Sequence, residues 1–337
     1  MFNQSTNQST NQPINQSTNQ KLNNKKYTDL RIVFMGTPEF AVASLHKLVN
    51  AGCNIVGVIT APDKEAGRGM QLQQSAVKKY AVENNLHTLQ PEKLKNPEFL
   101  EELKALQADL QIVVAFRMLP EVVWNMPPMG TVNLHGSLLP KYRGAAPINW
   151  AVINGETETG VTTFKLQHAI DTGNILMQAS FAIQEKDNAG DIHDTMKEIG
   201  AMLLVKTVQA LAEHTIMESA QIKPEESADA FPHAPKIFTE TCKIDFRQTT
   251  TQVHNLIRGL APYPAAFTFL DGKKLKIYSA EKVIETVAYL PGNYVTDEKT
   301  FLHFITSDGF INLLDIQLEG KKRMEIKEFL RGYRFQK

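Results

Sequence analysis

Cysteine is nearly missing from this chain of 337 residues, with Cys53 and Cys242 the only two. Two distant cysteines build neither a disulfide framework nor a zinc site, and the expected setting is a reducing cytoplasm. Metal binding is not expected, because the nine histidines show no ligand spacing. A net charge is also lacking. Lys+Arg and Asp+Glu both number 36, so bulk charge indicates neither a strong nucleic-acid binder nor a membrane-surface protein. No apolar run reaches the roughly 20 residues of a membrane span, and the N-terminus has no signal-peptide core. The first βα turn, FMGTPEF (34–40), has one glycine where dinucleotide binders have G-x-G-x-x-G. Gly67 and Gly69 come after the second strand and do not repair the pattern, so no nicotinamide or flavin is expected.

What is present is a 42% apolar chain, enough for about two domains with sizeable cores. Residues 2–20 repeat an Asn-Gln-Ser-Thr unit that cannot bury a core. This tract is expected to be disordered, either a translated repeat or the product of a misassigned start, and residues 1–28 are assigned no function. Order is expected from Asp29. The apolar runs 30–36, 54–60, 109–116 and 130–135 read as buried strands. Helices are expected after Thr37 as cap with Pro38 first, stopping at Gly52, and over 75–85 and 97–107. Strands alternating with helices indicate a doubly wound, mostly parallel sheet of Rossmann-like type. A strand pair over 159–183 and an amphipathic helix over 190–214 complete a catalytic domain spanning 29–214.

Residues 215–236 are polar, contain Pro224, Pro232 and Pro235, and read as a linker. From 237 to 337 the pattern is mostly strand, with an Asp-Gly hairpin turn at 271–272 and a closing helix that ends at Gly332. About five short strands indicate a small OB-like barrel. Residues 236–337 hold 16 basic and 12 acidic residues (+4), which leaves 20 and 24 (−4) for the rest. That excess points to a polyanionic partner, or to no more than a salt-laced surface.

Three stretches carry candidate chemistry. In NLHGSLLPKYRGAAPINW (133–150) the alternation of TVNLH puts Asn133 and His135 on one face of a strand. An amide donor and an imidazole at the C-terminal edge of a parallel sheet resemble an oxyanion site with an acid/base. A structural histidine is the competing reading. A serine-hydrolase triad using Ser137 and His135 fits poorly, because one short loop would have to set both groups. Lys141 and Arg143 read equally as anion ligands or as solvated loop charges. In HAIDTGNIL (168–176), Asp171 is either the cap of an Asx turn or a third polar group of the site, and His168 reads as surface. An aspartic-protease reading of Asp-Thr-Gly would need a second copy. In TAPDKEAGRGMQLQQ (60–74), Arg68 stands between two glycines; the stretch by itself reads as an ordinary surface loop, and its place at a strand end, where open sheets bind ligands, points to substrate contact.

Taken in order, RIVFMGTPEFA, the Gly-Arg-Gly loop, Asn-x-His…Ser-Leu-Leu-Pro and Asp-Thr-Gly resemble the methionyl-tRNA formyltransferase family, from about Leu30 to the C-terminus. The resemblance implies transfer of a formyl group from 10-formyltetrahydrofolate to the amine of methionyl-initiator tRNA. It implies Asn133, His135 and Asp171 as catalytic trio and Ser137, Leu138, Leu139 and Pro140 as folate contacts. It implies Arg68 at the tRNA acceptor end, a tRNA-holding C-terminal barrel, and no metal or membrane partner. A cytoplasmic monomer is expected. Phe116-Arg117 replaces the Tyr-Gly usual in relatives, which bears on the shape of the pterin pocket. The Arg68 loop is also less basic than in many relatives, and LQHAI stands before Asp171 where an acidic residue is common. The rival readings are a formyltransferase acting on an amino sugar nucleotide or glycinamide ribonucleotide, and a non-catalytic folate- or RNA-binding module.

Overall fold

The computed structural model describes residues 25–66, 71–222, 231–286 and 288–335. The repeat tract, Arg68 and residues 223–230 of the predicted linker lie outside the described residues. The N-terminal half builds β1 (Arg31–Gly36), α1 (Glu39–Asn50), β2 (Asn54–Ile59), β3 (Lys64–Ala66), β4 (Gln71–Gln73), α2 (Ala76–Glu83) and β5 (Thr88–Leu89). It continues with α3 (Pro97–Ala105), β6 (Leu110–Val114), α4 (Glu121–Trp124), β7 (Thr131–His135), α5 (Pro147–Ile153), β8 (Glu158–Lys165), β9 (Ile175–Ala182) and α6 (Ala189–Ala212).

Seven of these strands form one sheet in the order β5-β2-β1-β6-β7-β8-β9. The first five run parallel; β8 pairs antiparallel with β7, and β9 antiparallel with β8. Alternation along the strands splits the core in two. Ile32, Phe34, Ile112, Val132 and Leu134 pack under α1 and α6. Val33, Met35, Ile59 and Val113 pack under α3 and α4. A sheet covered on both faces leaves its strand ends as the places where polar side chains can gather.

Helix ends follow local chemistry. Ser75 accepts the Lys78 N–H at 3.0 Å and starts α2, and Asn96 does the same for α3. Asn188 and Asp191 form a reciprocal box at the start of α6. The first helix departs from expectation. Pro38 is extended (ψ 175) and occupies the cap position, so the helix begins one residue later, at Glu39.

The C-terminal half contains a one-turn 3-10 helix (Glu240–Cys242) and α7 (Thr250–Leu260). It then builds β10 (Ala266–Leu270), β11 (Lys273–Ile284), β12 (Tyr294–Thr296), β13 (Leu302–Ile305), β14 (Gly309–Leu318), β15 (Met324–Glu325) and α8 (Ile326–Gly332). The strands form an antiparallel sheet ordered β10-β11-β14-β13-β12, with β15 on β14. With β10 and β12 left as edges, it is a half-barrel rather than a closed ring. Asp271 and Gly272 both have positive φ (47° and 76°), the geometry a two-residue hairpin turn requires. Helix α7 was not expected from the sequence; it plugs the half-barrel with Val253, Ile257 and Leu260.

Both cysteines are buried. Burial pushes the Cys53 thiol up to about 11 and raises Cys242 as well. Among the described residues, no helix is long and apolar enough to cross a membrane.

The two halves meet beside α7. Arg258 donates to the carbonyls of Gln184 (3.3 Å) and Asp187 (2.7 Å) in the turn after β9. Lys282 on β11 pairs with Glu185 at 3.1 Å. His254 is buried here. Its Nε2–H donates to the Ala280 carbonyl at 3.2 Å, and its Nδ1 has no partner among the described residues. Burial holds His254 down at about 4, helped by the Arg258 and Lys282 charges and opposed by Glu185. A histidine depressed in the fold costs stability once the unfolded chain binds the proton that the fold refuses. Stability should therefore fall as pH drops from about 6.5 towards 4, by roughly 3 kcal/mol for this group. Urea unfolding across that window should show a shallower decline for His254→Gln than for the parent protein.

Candidate active site

Strand β7 lies between β6 and β8 and carries Asn133 and His135 two residues apart. Their even spacing turns both away from the face that Val132 and Leu134 bury. His135 is 7% exposed and packs edge-on against Phe164 of β8. Asn133 is half-buried.

The loop after β7 positions the imidazole. His135 Nε2 lies 2.9 Å from the Tyr142 carbonyl oxygen. A carbonyl only accepts, so Nε2 carries the hydrogen. Nδ1 faces the other way, 3.8 Å from Asp171 Oδ2. That distance is too long for a hydrogen bond, so the two groups are near neighbours without a direct bond.

Asp171 comes from the Asp-Thr-Gly turn between β8 and β9, with φ 55°. Its Oδ2 accepts the backbone N–H of Gly144 at 3.0 Å. Tyr142 also has positive φ (59°), an uncommon state for a bulky residue. It is held from three sides. Its N–H donates to Pro232 O at 2.6 Å, its hydroxyl donates to Glu156 at 2.8 Å, and Asn154 donates to that hydroxyl at 3.2 Å. Burial, with the Glu156 carboxylate adding, holds the Tyr142 phenol protonated.

The remaining predicted residues have definite places. Ser137 is buried, and its hydroxyl donates to Lys141 O at 2.6 Å, so it is no free nucleophile. Thr162 on β8 donates to Ser137 O and accepts the Leu139 N–H. Gln178 on β9 donates to Leu139 O at 2.9 Å. Leu139 is buried, Leu138 and Pro140 half-buried, and the Leu139–Pro140 bond is cis. The hairpin β3–β4 flanks Arg68, which lies outside the described residues. His168 is exposed and pairs with Glu121 at 3.2 Å. Lys141 is half exposed and lies 3.6 Å from Glu156.

Two features were not legible in the sequence. Arg143 is neither a solvated loop charge nor a free anion ligand. It is 7% exposed, and its guanidinium donates to Gln221 Oε1 and Ile222 O. Burial lowers its pKa, and the Asp171 charge opposes that shift. The segment predicted as a linker also lies across the site loops. Ser219 bridges Ile175, Gln221 reaches the Asp171 turn, and Ala234 pairs with Gly144. Trp150 Nε1 donates to Pro235 O at 2.8 Å. In the neighbouring loop, Phe116–Arg117 forms a ring–guanidinium contact at 5.6 Å, and Arg117 donates to the Glu92 and Pro91 carbonyls. This ties residues 116–117 to 91–92 beside a groove of about 370 Å³ lined by Leu94, Met118 and Pro120 among others. Among the described residues, no three His, Cys, Asp or Glu side chains group to hold a metal ion.

The chain matches the family model described as formyl transferase over residues 30–208, and the formyl transferase C-terminal domain over 236–334. A methionyl-tRNA formyltransferase of Bacteroides fragilis is 53% identical over 91% of this chain and 96% of that protein. That of Phocaeicola vulgatus is 56% identical over 91% and 96%. Among solved structures, an N-formyltransferase from Helicobacter canadensis, in complex with folinic acid and dTDP-3-aminofucose, is similar in fold. It superposes with a TM-score of 0.64 at 24% identity, covering 84% of this chain and 98% of that one.

Gly144 tests the loop geometry. It has φ 125°, and a Cβ there would lie 2.5 Å from Ala234 O. Gly144→Ala should cost at least about 2 kcal/mol through strain and clash. It should also displace the N–H that Asp171 accepts. Thermal unfolding should show the lower stability, and turnover should fall more than stability alone explains.

Proposed function

We propose that this chain, which belongs to the formyl transferase family, transfers the formyl group of 10-formyltetrahydrofolate to the α-amino group of methionyl-initiator tRNA. Kinship over more than nine-tenths of the chain supports the acceptor. The meeting of His135 and Asp171 beside Asn133, at the carboxyl edge of β7, is the observation that carries the chemistry. In the cytoplasm this reaction prepares the first aminoacyl-tRNA of translation.

The methionyl amine has a reference pKa of about 8, so a useful fraction is neutral near pH 7. It attacks the formyl carbon directly. The new N–C bond forms as the carbonyl oxygen takes negative charge, and the bond to the folate N10 then breaks. N10 leaves with a proton and the amine loses one, which gives tetrahydrofolate and N-formylmethionyl-tRNA. With Nε2–H committed to Tyr142 O, a second proton on Nδ1 makes the ring an imidazolium. Nδ1–H and the Asn133 amide then donate to the oxyanion. Losing one such donor typically costs about 3–4 kcal/mol of barrier. Asp171 accepts the amine's surplus proton through water. Ser137 to Pro140 line the folate side, and Arg68 contacts the acceptor end of the tRNA.

His135→Ala and Asp171→Asn should each lower kcat by about 100-fold or more while tRNA affinity stays near normal. Formyl transfer to charged initiator tRNA is the assay, with uncharged tRNA and an amino-sugar nucleotide as controls. Parental turnover in either variant removes that residue from the mechanism, and formylation of the sugar in place of the tRNA overturns the acceptor. Arg68→Ala should raise KM for the charged tRNA and leave folate binding alone. A changed folate dissociation constant with unaltered tRNA kinetics contradicts that role.

A further inference from the structure

We infer that Gln221 and Arg143 form a positioning pair that sets the distance between Asp171 and His135, an inference that rests on the proposed catalytic reading of those two residues. Gln221 lies 50 residues after Asp171 in the chain, on the segment that crosses the site. Its Nε2 donates one hydrogen to Asp171 O at 3.0 Å and the other to Gly173 O at 2.7 Å. A single amide group thus grips both ends of the Asp-Thr-Gly turn. Its Oε1 accepts two N–H bonds from Arg143, at 2.7 and 3.2 Å. Those partners fix the amide orientation, because carbonyls face the nitrogen and guanidinium hydrogens face the oxygen.

Arg143 is covalently placed to relay this hold. Its predecessor Tyr142 presents the carbonyl that accepts the His135 Nε2–H hydrogen bond, and its successor Gly144 presents the N–H that Asp171 accepts. The guanidinium is buried and anchored on Gln221 and Ile222. Besides the Gly144–Asp171 bond, the loop that orients the imidazole and the turn that presents the carboxylate are therefore joined through the Arg–Gln contact. The Asp171 charge also opposes the lowering of the Arg143 pKa by burial. Gln221 and Arg143 are bonded to the turn and the loop that carry the pair, and they act through it.

Glutamine suits this position better than its acid. A carboxylate would keep the Arg143 bonds but aim an oxygen at two carbonyl oxygens, repelling the turn that the amide now holds. Gln221→Glu should lower kcat about 10- to 100-fold and leave both KM values within about threefold, because placement of the pair is lost while substrate contacts stay. In an Asp171→Asn background the same change should cost less than about threefold, since the group being positioned is already gone. Gln221→Met, which removes the grip without adding charge, serves as the second variant if the first folds poorly, and thermal unfolding checks both. Turnover within twofold of the parent in a folded Gln221 variant, or an equal loss in both backgrounds, overturns the inference while the Asp171 reading stands. Full activity in Asp171→Asn alone removes that reading, and the positioning role with it.

Discussion

One hydrogen bond orders the rest of the site, the donation from His135 Nε2 to the Tyr142 backbone carbonyl. It fixes which ring nitrogen is committed and so which one faces Asp171. Tyr142, which presents that carbonyl, adopts a left-handed backbone state, which costs on the order of 1–3 kcal/mol. Pro232, Glu156 and Asn154 offset the cost by holding both ends of the tyrosine. Two residues on, Gly144 supplies the N–H for Asp171. A few consecutive backbone units thereby govern an imidazole from a strand and a carboxylate from a distant turn.

The two parts of the pair differ in how firmly the fold itself holds them. Asn133 and His135 belong to a central strand bonded on both sides and packed above and below, so their directions follow from the sheet. Asp171 belongs to a turn between two antiparallel strands, which a sheet edge alone would leave adjustable. The crossing of residues 219–222 and 232–235 over the site loops adds the constraint the turn lacks. The described parts of that connection thus also hold the loops of the site.

Legibility in the sequence followed interaction range. Asn133 and His135 could be read because strand alternation places residues i and i+2 together. The parallel sheet, the strand pair after it and the Asp-Gly hairpin are equally local signals, and they stand where the pattern put them. Helix α7 was missed because its opening, Thr250-Thr251-Gln252, is polar and β-branched, although the Thr249–Gln252 box at its start was a usable sign. Pro38 shifted from first helical residue to cap because its own ψ is extended, which proline chemistry permits. Arg143 and Gln221 were illegible for a different reason. Nothing near either residue in the chain says that they meet 78 positions apart, and a polar, proline-bearing stretch reads as a spacer whether or not it is strapped down.

The two buried thiols give the surface an unusual chemical silence. Both are shielded, and both lose acidity through burial, so neither offers a ready thiolate to an alkylating reagent or an oxidant. A single thiol added at an exposed position such as Leu72, on the hairpin that flanks Arg68, would ionise near its ordinary value. A fluorophore or crosslinker would then attach there alone, and the native chain already provides the clean background that such labelling usually has to be engineered to reach.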